Sequence, residues 1–341
     1  MVKTRRLMVL ALGGNALLGA KEKGTISEQE ANAARTAKEL LPILQADCDL
    51  VITHGNGPQV GNILIQNESA ANLVPAMPID VCVAKSQGSI GYILQQAILN
   101  ELRRNKIPRY VVTMITQAVV DKKDPAFKNP TKPVGPFFDE EKAKILEKER
   151  KWQMKEDSGR GYRRVIASPM PIKVIQRPMI HDLARDGHIV IAAGGGSIPI
   201  WKKEDNEYEG IEAVIDKDIA SAILAREMKA ETLIILTAVP KVCLNFGKPS
   251  QTTLDIMSAS LARQYIKEGH FGSGSMAPKI EAALLYLEQV DGKVVITSSD
   301  HLKDVMTNNN YKSGTTIFSD IKYKEQEGNL LIDFSSNTKR L

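Results

Sequence analysis

Four apolar segments of this chain end in turns rich in glycine or small residues, and helical patterns lie between them. The segments and the turns that follow them are 7–12 before 13–15, 50–53 before 54–57, 188–193 before 194–197, and 233–236 before 237–240. Continuous apolar runs of this length are typical of parallel strands that are buried on both faces. Their alternation with helices predicts an α/β fold with an open, mostly parallel central sheet and helices on both faces.

Helical periodicity predicts the elements between and after these strands. Helices are expected at 27–44, 79–104, 139–156 and 276–289, and further strands at 110–116 and 293–297. The first helix would begin with Ser27 and Glu30 as a capping box. Residues 214–224 begin with Asp216-Lys217-Asp218 and continue with helix formers, which predicts a helix with acids in its first turn. The lysine between the acids is explained either by a bound phosphate at the helix start or by a solvated, charged turn.

The segment 117–167 interrupts the α/β pattern. Its first half, at 124–133, is rich in turn residues, and a charged helix follows. We interpret the segment as a small protruding subdomain, or lid, inserted in one domain that covers 1–322. Residues 323–341 are expected to be a polar C-terminal tail with a short apolar patch at 330–334.

Composition limits the classes of function. The chain has 341 residues and a net charge of only +5, which suits anionic substrates but does not indicate a nucleic-acid partner. No apolar run is long enough to span a membrane, and residues 1–14 fit a first strand better than a signal sequence. The cysteines Cys48, Cys82 and Cys243 are far apart and lack metal-binding spacing, as expected for a cytoplasmic protein.

The turns predict a ligand site at one edge of the sheet. In open α/β sheets, ligands bind beyond the carboxyl ends of the strands, and glycine there lets backbone N–H groups approach phosphate. A P-loop, a GxGxxG turn after the first strand and a GxSxG elbow are all absent. His54 lies in a glycine turn, where it is either a base or, as we prefer, a hydrogen-bonding support of the turn.

With these motifs the chain resembles the carbamate kinases of the amino acid kinase superfamily. The motifs that carry the resemblance extend over nearly the whole chain: 11–17, 53–62, 124–127, 129–135, 159–164, 192–196, 216–218, 245–249, 274–279 and 314–317. The Asn-Pro-Thr-Lys-Pro stretch at 129–133 and the Gly-Arg-Gly-Tyr-Arg-Arg stretch at 159–164 are the most specific to this family.

The resemblance implies the amino acid kinase fold and reversible phosphoryl transfer between ATP and carbamate, which gives ADP and carbamoyl phosphate. It also implies Mg²⁺ with the nucleotide, a homodimer, and a reaction often run towards ATP in arginine or purine-derivative breakdown. The catalytic residues that it implies are Lys132, Lys217, Asp218 and Lys279. Residues for the phosphate and the carbamate are Gly13, Gly14, Asn15, Gly55, Asn56, Gly194 and Gly195.

Nucleotide recognition and metal binding are less well defined by the resemblance. The residues implied for the nucleotide are Thr237, Ala238, Val242, Met276 and Pro278. Cys243 stands where many members have a tyrosine near the adenine, and Ala238 where related kinases often carry a small or acidic residue. The metal ligands are unassigned; Asp216 is a possible one, although a helix N-cap suits it better. The rival functions are a related kinase for another carboxylate, such as acetylglutamate, and a catalytically inactive regulator.

Overall fold

A computed structural model of the chain describes residues 5–13, 17–19, 22–157, 161–272, 276–308 and 313–325. The predicted phosphate ligands Gly14 and Asn15, most of the predicted C-terminal tail, and the start of the 159–164 motif lie outside the described residues.

The strands and helices alternate through much of the chain. In chain order the strands are β1 (Arg6–Leu12), β2 (Cys48–His54), β3 (Val111–Thr113), β4 (Gln117–Val120), β5 (Lys132–Phe138), β6 (Gln153–Glu156), β7 (Tyr162–Ile166), β8 (Pro171–Val174), β9 (Ile189–Ile191), β10 (Ile198–Lys202), β11 (Tyr208–Gly210), β12 (Thr232–Leu236), β13 (Cys243–Leu244), β14 (Thr252–Thr253), β15 (Ile256–Ser258), β16 (Lys293–Thr297) and β17 (Thr315–Phe318). The α-helices are α1 (Ile26–Glu39), α2 (Leu41–Leu44), α3 (Gly57–Ser69), α4 (Ile79–Arg104), α5 (Glu140–Arg150), α6 (Arg177–Arg185), α7 (Lys217–Glu227), α8 (Ala259–Lys267), α9 (Ala277–Leu287) and α10 (Leu302–Asn308).

The central sheet has eight strands in the order β15-β17-β16-β12-β1-β2-β9-β3. All neighbouring pairs are parallel except β16 and β17. This is the open, mostly parallel sheet that the apolar segments predict. Because β1, β2, β9, β12 and β16 are parallel, their carboxyl ends meet at one edge of the sheet.

Side chains of the strands alternate between two apolar cores, one on each face of the central sheet. In β1, Leu7 and Val9 belong to the first core, whereas Met8 and Leu10 belong to the second. Helices α7 and α9 supply much of the first core, and α1 and α4 much of the second. The sheet is therefore covered on both sides, as an all-apolar strand requires.

The region around the predicted lid contributes to two smaller sheets. Strands β5, β7 and β6 form a three-stranded antiparallel sheet that carries α5, whereas β4 joins the four-stranded sheet β11-β10-β4-β8. The three-stranded sheet and α5, residues 132–166, form a unit that we call the lid. It stands on α3, where Val60 and Leu64 pack with Val134 and Ile166.

Three local predictions were wrong in detail. The capping box of α1 is formed by Thr25 and Glu28 rather than by Ser27 and Glu30, and a break at Leu40 separates α1 from α2. The charged helix ends at Arg150, because Lys151 adopts a left-handed backbone with φ 56°, and the last four residues of the predicted helix form β6. The predicted strand at 110–116 is only three residues long. The helix predicted at 79–104 is confirmed.

Candidate active site

Three helices begin at the edge where the parallel strands end. Helix α3 follows the turn after β2, whereas α7 and α9 are packed side by side in the first core. Each helix start carries a partial positive charge from the helix dipole, which favours a bound anion by about 0.3–1 kcal/mol. The fold thus makes this edge attractive to phosphate before any side chain is considered.

Asp216 caps α7 and at the same time binds a lysine from the lid. One carboxylate oxygen, Oδ1, accepts hydrogen bonds from the backbone N–H groups of Asp218 and Ile219, at 2.9 and 3.4 Å. The other, Oδ2, lies 2.8 Å from Nζ of Lys132. Burial tends to raise the pKa of Asp216, but the charge and hydrogen bond of Lys132 and the cap hydrogen bond prevail and lower it. Asp216 is therefore an anion that connects the lid to the start of α7.

Asp218 binds two lysines from different helices. Its Oδ1 accepts a hydrogen bond from Nζ of Lys217, and its Oδ2 accepts one from Nζ of Lys279 at 3.1 Å. The Asp218 side chain is only 5% exposed, whereas the two lysine side chains are 15% and 17% exposed. A buried carboxylate thus holds both ammonium groups in fixed positions and leaves them accessible from the cleft.

A buried hydroxyl pair fixes the first turn of α7. Ser221 Oγ donates to the backbone carbonyl of Lys217 at 2.6 Å, and it also lies 2.6 Å from Thr53 Oγ1 at the end of β2. Both side chains are buried. The position of Lys217 is thereby connected to the central sheet rather than to solvent.

Two neutral polar side chains, Gln87 and His54, pack against the glycine turn after β9. Gln87 of α4 donates to the carbonyl oxygens of Gly194 and Thr116, at 2.9 and 3.1 Å. His54 is buried beneath the same turn, and its Nδ1 donates to the carbonyl of Gly55 at 2.9 Å. Burial lowers the pKa of His54 to about 4, and the charge of Lys217 contributes in the same direction. The imidazole is therefore neutral near pH 7, which agrees with a supporting role.

Gly195 is required at its position by both backbone conformation and space. Its φ is +63°, and a Cβ at this residue would lie 2.2 Å from Nδ2 of Asn56. Asn56 itself is buried and donates from Nδ2 to Ser86 Oγ at 2.8 Å. The two turns after β2 and β9 are thus in direct contact at the floor of the cleft.

Two cavities meet at the pair of lysines bound to Asp218. The first, of about 670 Å³, lies under the lid and is lined by Gly55, Asn56, Gly195, Lys132 and Asp216 among others. The second, of about 580 Å³, lies beyond β1 and β12 and is lined by Gly13, Thr237 and Ala238 among others. Lys217 and Lys279 line both cavities. We call the cavity under the lid the acceptor cavity and the cavity beyond β1 and β12 the donor cavity.

The structure brings most of the predicted site residues to these two cavities but not all of them. Gly194 is buried against His54, next to Gly195, and does not line the acceptor cavity. The Val242 side chain is fully buried in the first core, and its backbone N–H donates to Thr315 Oγ1. Met276 and Pro278 lie beside Lys279 at the start of α9 but line neither cavity. Their predicted role in nucleotide binding stays a prediction.

Some residues of the two cavities were not singled out by the sequence. Arg163 of β7 lines the acceptor cavity and donates from Nε to the carbonyl of Gly135 at 3.1 Å. It belongs to the Gly-Arg-Gly-Tyr-Arg-Arg motif, so the signal was present without an assigned role. Arg35 of α1 and Asp300 after β16 line the donor cavity, and no local pattern marks either of them.

The carboxylates of Asp216 and Asp218, which lie between the lysines of the cleft, are already occupied by other partners. Both oxygens of Asp216 and both of Asp218 accept hydrogen bonds from backbone N–H groups or lysines. Within the described ranges, no three His, Cys, Asp or Glu side chains lie close enough together to hold a metal ion. A divalent cation that enters here would therefore have to bring most of its ligands, as a nucleotide–Mg²⁺ complex does.

Comparisons with known proteins agree with this architecture. The pattern of the amino acid kinase family matches residues 6–298. A carbamate kinase of Thermococcus kodakarensis is 47% identical over 91% of this chain and 98% of its own length. A carbamate kinase of Trichomonas vaginalis is 44% identical over 86% of this chain and 94% of its own. The solved structure of a Giardia lamblia carbamate kinase bound to AMP-PNP superposes with a TM-score of 0.87 at 42% identity, covering 93% of this chain and 99% of that one.

Proposed function

The chain belongs to the amino acid kinase family and, within it, to the carbamate kinases, and from this membership we propose the chemistry of its cleft. The reaction is reversible transfer of a phosphoryl group between ATP and carbamate, which forms ADP and carbamoyl phosphate. The observation that carries the proposal is the meeting of two cavities at Lys217 and Lys279. One cavity suits the nucleotide and the other suits the small acceptor.

The reaction needs positioning and charge compensation more than a strong base. Carbamate is already an anion, so its attacking oxygen carries no proton that must be removed. The barrier comes from bringing anionic groups together while negative charge spreads over the transferring phosphoryl oxygens. The three lysines that bind Asp216 and Asp218 outnumber these two carboxylates by one positive charge, to which the positive ends of α3, α7 and α9 add.

Each charged residue has a distinct role in this proposal. Lys217 and Lys279 contact the transferring phosphoryl group and the ADP leaving group from their shared position between the cavities. Asp218 orients both lysines and does not take a proton. Lys132 reaches carbamoyl phosphate from the lid, and the turns at Gly55 and Gly195 supply backbone N–H groups on the opposite side.

The nucleotide enters as its Mg²⁺ complex. The carboxylates of Asp216 and Asp218 are already occupied by lysines and backbone N–H groups, which supports a metal carried mainly by the phosphates. We propose that the working direction is ATP formation, as part of arginine or purine-derivative breakdown. Carbamoyl phosphate is a mixed anhydride, so its phosphoryl group is readily given to ADP.

We also propose a cytoplasmic homodimer. The outer side of β3 is an edge of the central sheet within the described part of the chain. Two large side chains beside this edge, Tyr92 and Tyr110, are 62% and 61% exposed. No helix among the described residues is long and apolar enough to cross a membrane. Light scattering that gave the mass of one chain at micromolar concentration would count against the dimer.

A coupled assay compares the proposed reaction with its rivals. Hexokinase and glucose-6-phosphate dehydrogenase report ATP formed from ADP and either carbamoyl phosphate, acetyl phosphate or acetylglutamyl phosphate. We expect turnover with carbamoyl phosphate at least 100-fold faster than with the other two. Faster turnover with acetylglutamyl phosphate would favour the related kinase, and nucleotide binding without any turnover would favour the inactive regulator.

A further inference from the structure

A separate cavity of about 350 Å³ lies at the joint between the lid and α3. Its walls are mainly apolar and come from both sides of the joint: Leu64 and Ile65 from α3, Val134 and Phe138 from β5, and Leu146 and Trp152 from α5 and the segment after it. The volume lies within the range of about 300–1,000 Å³ that is usual for small-molecule sites. We call it the joint cavity.

Cations surround the rim of the joint cavity. Lys142, Arg150 and Arg164 line it, and Glu68 is its single acidic lining residue. Arg150 Nη1 pairs with Glu68 at 2.8 Å across the joint, and Arg164 pairs with Glu212 and lies 4.6 Å from the Trp152 ring centroid. The ammonium group of Lys142 forms no ion pair with any residue that the structure describes. The cavity thus combines an apolar interior with a net positive rim and one unpaired cation.

The joint cavity shares a wall with the acceptor cavity. Ile65, Val134 and Gly135 line both of them. Val134 lies two residues after Lys132 on β5, the strand that brings Lys132 to Asp216. An occupant of the joint would therefore press against the strand that carries the lid lysine.

From these contacts we propose that the joint cavity binds a small amphipathic anion, which has an apolar body and one carboxylate or sulfonate group. Binding of this anion lowers the affinity of the active site for carbamoyl phosphate. The apolar body lies between α3 and β5, and the acidic group meets Lys142. Separation of β5 from α3 draws Lys132 away from the cleft. The binding part of this proposal is independent of the proposed reaction, whereas the regulatory part rests on it.

The binding part is tested with anilinonaphthalene sulfonate, a fluorescent dye of this chemistry. The titration contains excess ADP, so that the dye cannot occupy the donor cavity. We expect saturable binding of one dye per chain. Ser69→Trp, which puts a large side chain at an exposed lining position, should abolish it, and Lys142→Glu should weaken it at least fivefold. Lys148→Glu, the same charge change at an exposed position of α5 outside the cavity, is the matched control.

Three results would overturn the binding proposal. They are no saturable binding, binding that survives Ser69→Trp, and equal weakening by Lys142→Glu and Lys148→Glu. The uncharged dye phenylnaphthylamine measures the contribution of charge: if it bound as tightly as the sulfonate, the preference for an anion would be wrong.

The regulatory part is tested by the kinetics of ATP formation. Saturating dye should raise the KM for carbamoyl phosphate by about fivefold or more and leave the KM for ADP unchanged within twofold. The Ser69→Trp enzyme should show normal KM values and no response to the dye. If the dye binds the wild-type enzyme and both KM values stay the same, the coupling through β5 is refuted. If no carbamoyl phosphate is turned over at all, the proposed reaction fails and the dye titration still decides the binding site.

Discussion

Replacement of Asp218 by asparagine tests the idea that a buried carboxylate organises the cleft. The variant keeps the shape of the side chain but loses its charge. In the native protein this carboxylate accepts hydrogen bonds from both Lys217 and Lys279. Charge-assisted hydrogen bonds of this kind contribute about 1.5–3 kcal/mol each. An asparagine amide can accept from one lysine only and turns its NH₂ group towards the other.

The expected loss falls on kcat rather than on KM. Two ammonium groups at a separation of roughly 6 Å repel each other by about 3 kcal/mol at an effective dielectric constant near 20, so they separate when the carboxylate is lost. Displacement of both lysines should remove about 3–4 kcal/mol of transition-state stabilisation, which lowers kcat by roughly 100- to 1,000-fold. The KM for ADP should stay within threefold, because the cleft becomes more positive and still attracts phosphate.

The assay is steady-state ATP formation from pH 6 to pH 9, with circular dichroism to verify the fold. Asp205→Asn is the control, since Asp205 also pairs with a lysine, Lys203, but is exposed and lines neither active-site cavity. That variant should have wild-type rates. If Asp218→Asn retained kcat within threefold, the organising role would be refuted. Recovery of the full maximal rate at a shifted pH would instead indicate that Asp218 acts as an acid or base.

Three further predictions concern Lys132 on the lid, Gly195 in the turn after β9, and His54, which is buried against that turn. Lys132→Met should raise the KM for carbamoyl phosphate about tenfold and leave that for ADP unchanged in the same assay; equal increases in both would refute contact with the acceptor alone. Gly195→Ala should lower the melting temperature by several degrees and kcat by about tenfold or more, because a left-handed alanine costs about 1–2 kcal/mol and its Cβ collides with Asn56. His54 has a folded pKa of about 4, below its ordinary value, so the unfolded chain binds its proton first as the pH falls. Its contribution to stability is therefore complete above about pH 6.5, is lost progressively towards pH 4, and falls by about 2 kcal/mol between pH 7 and pH 5. Urea unfolding at these two pH values should show a smaller difference for His54→Gln, and an equal difference in both proteins would contradict the assignment.

Local sequence patterns predicted the parts of the fold that depend on neighbouring residues. Continuous apolar runs identify the central strands because both faces of the sheet are covered. The N-cap at Asp216 was also predictable, because an aspartate that precedes a run of helix formers satisfies the backbone N–H groups of the first turn.

Predictions were less accurate where two local patterns compete or where distant segments pair. Residues 25–30 contain two overlapping capping boxes, and the structure uses Thr25 with Glu28 rather than Ser27 with Glu30. The segment after Arg150 is highly charged and has no apolar periodicity, so only its pairing with β7 shows that part of it is a strand.

In the candidate site, too, sequence motifs identified individual residues, whereas contacts between distant segments could not be predicted. Motifs of the family located Lys132, Lys217, Asp218 and Lys279, and they did so without any information on contacts. The Lys132–Asp216 pair joins residues 84 positions apart. No local rule predicts such a pair, because it depends on how the lid stands on α3. The joint cavity depends on the same packing and has no sequence signature.

The most direct test of the central claim follows the phosphoryl group itself by phosphorus NMR. A mixture of ADP, Mg²⁺ and carbamoyl phosphate is observed with the wild-type protein and with Lys217→Ala at equal concentration. We predict that the carbamoyl phosphate signal declines as the γ-phosphate signal of ATP grows, and that the variant forms ATP at least 100-fold more slowly with its fold intact. Release of inorganic phosphate without ATP in the wild-type mixture, or ATP formation by the variant at a near-normal rate, would contradict the account.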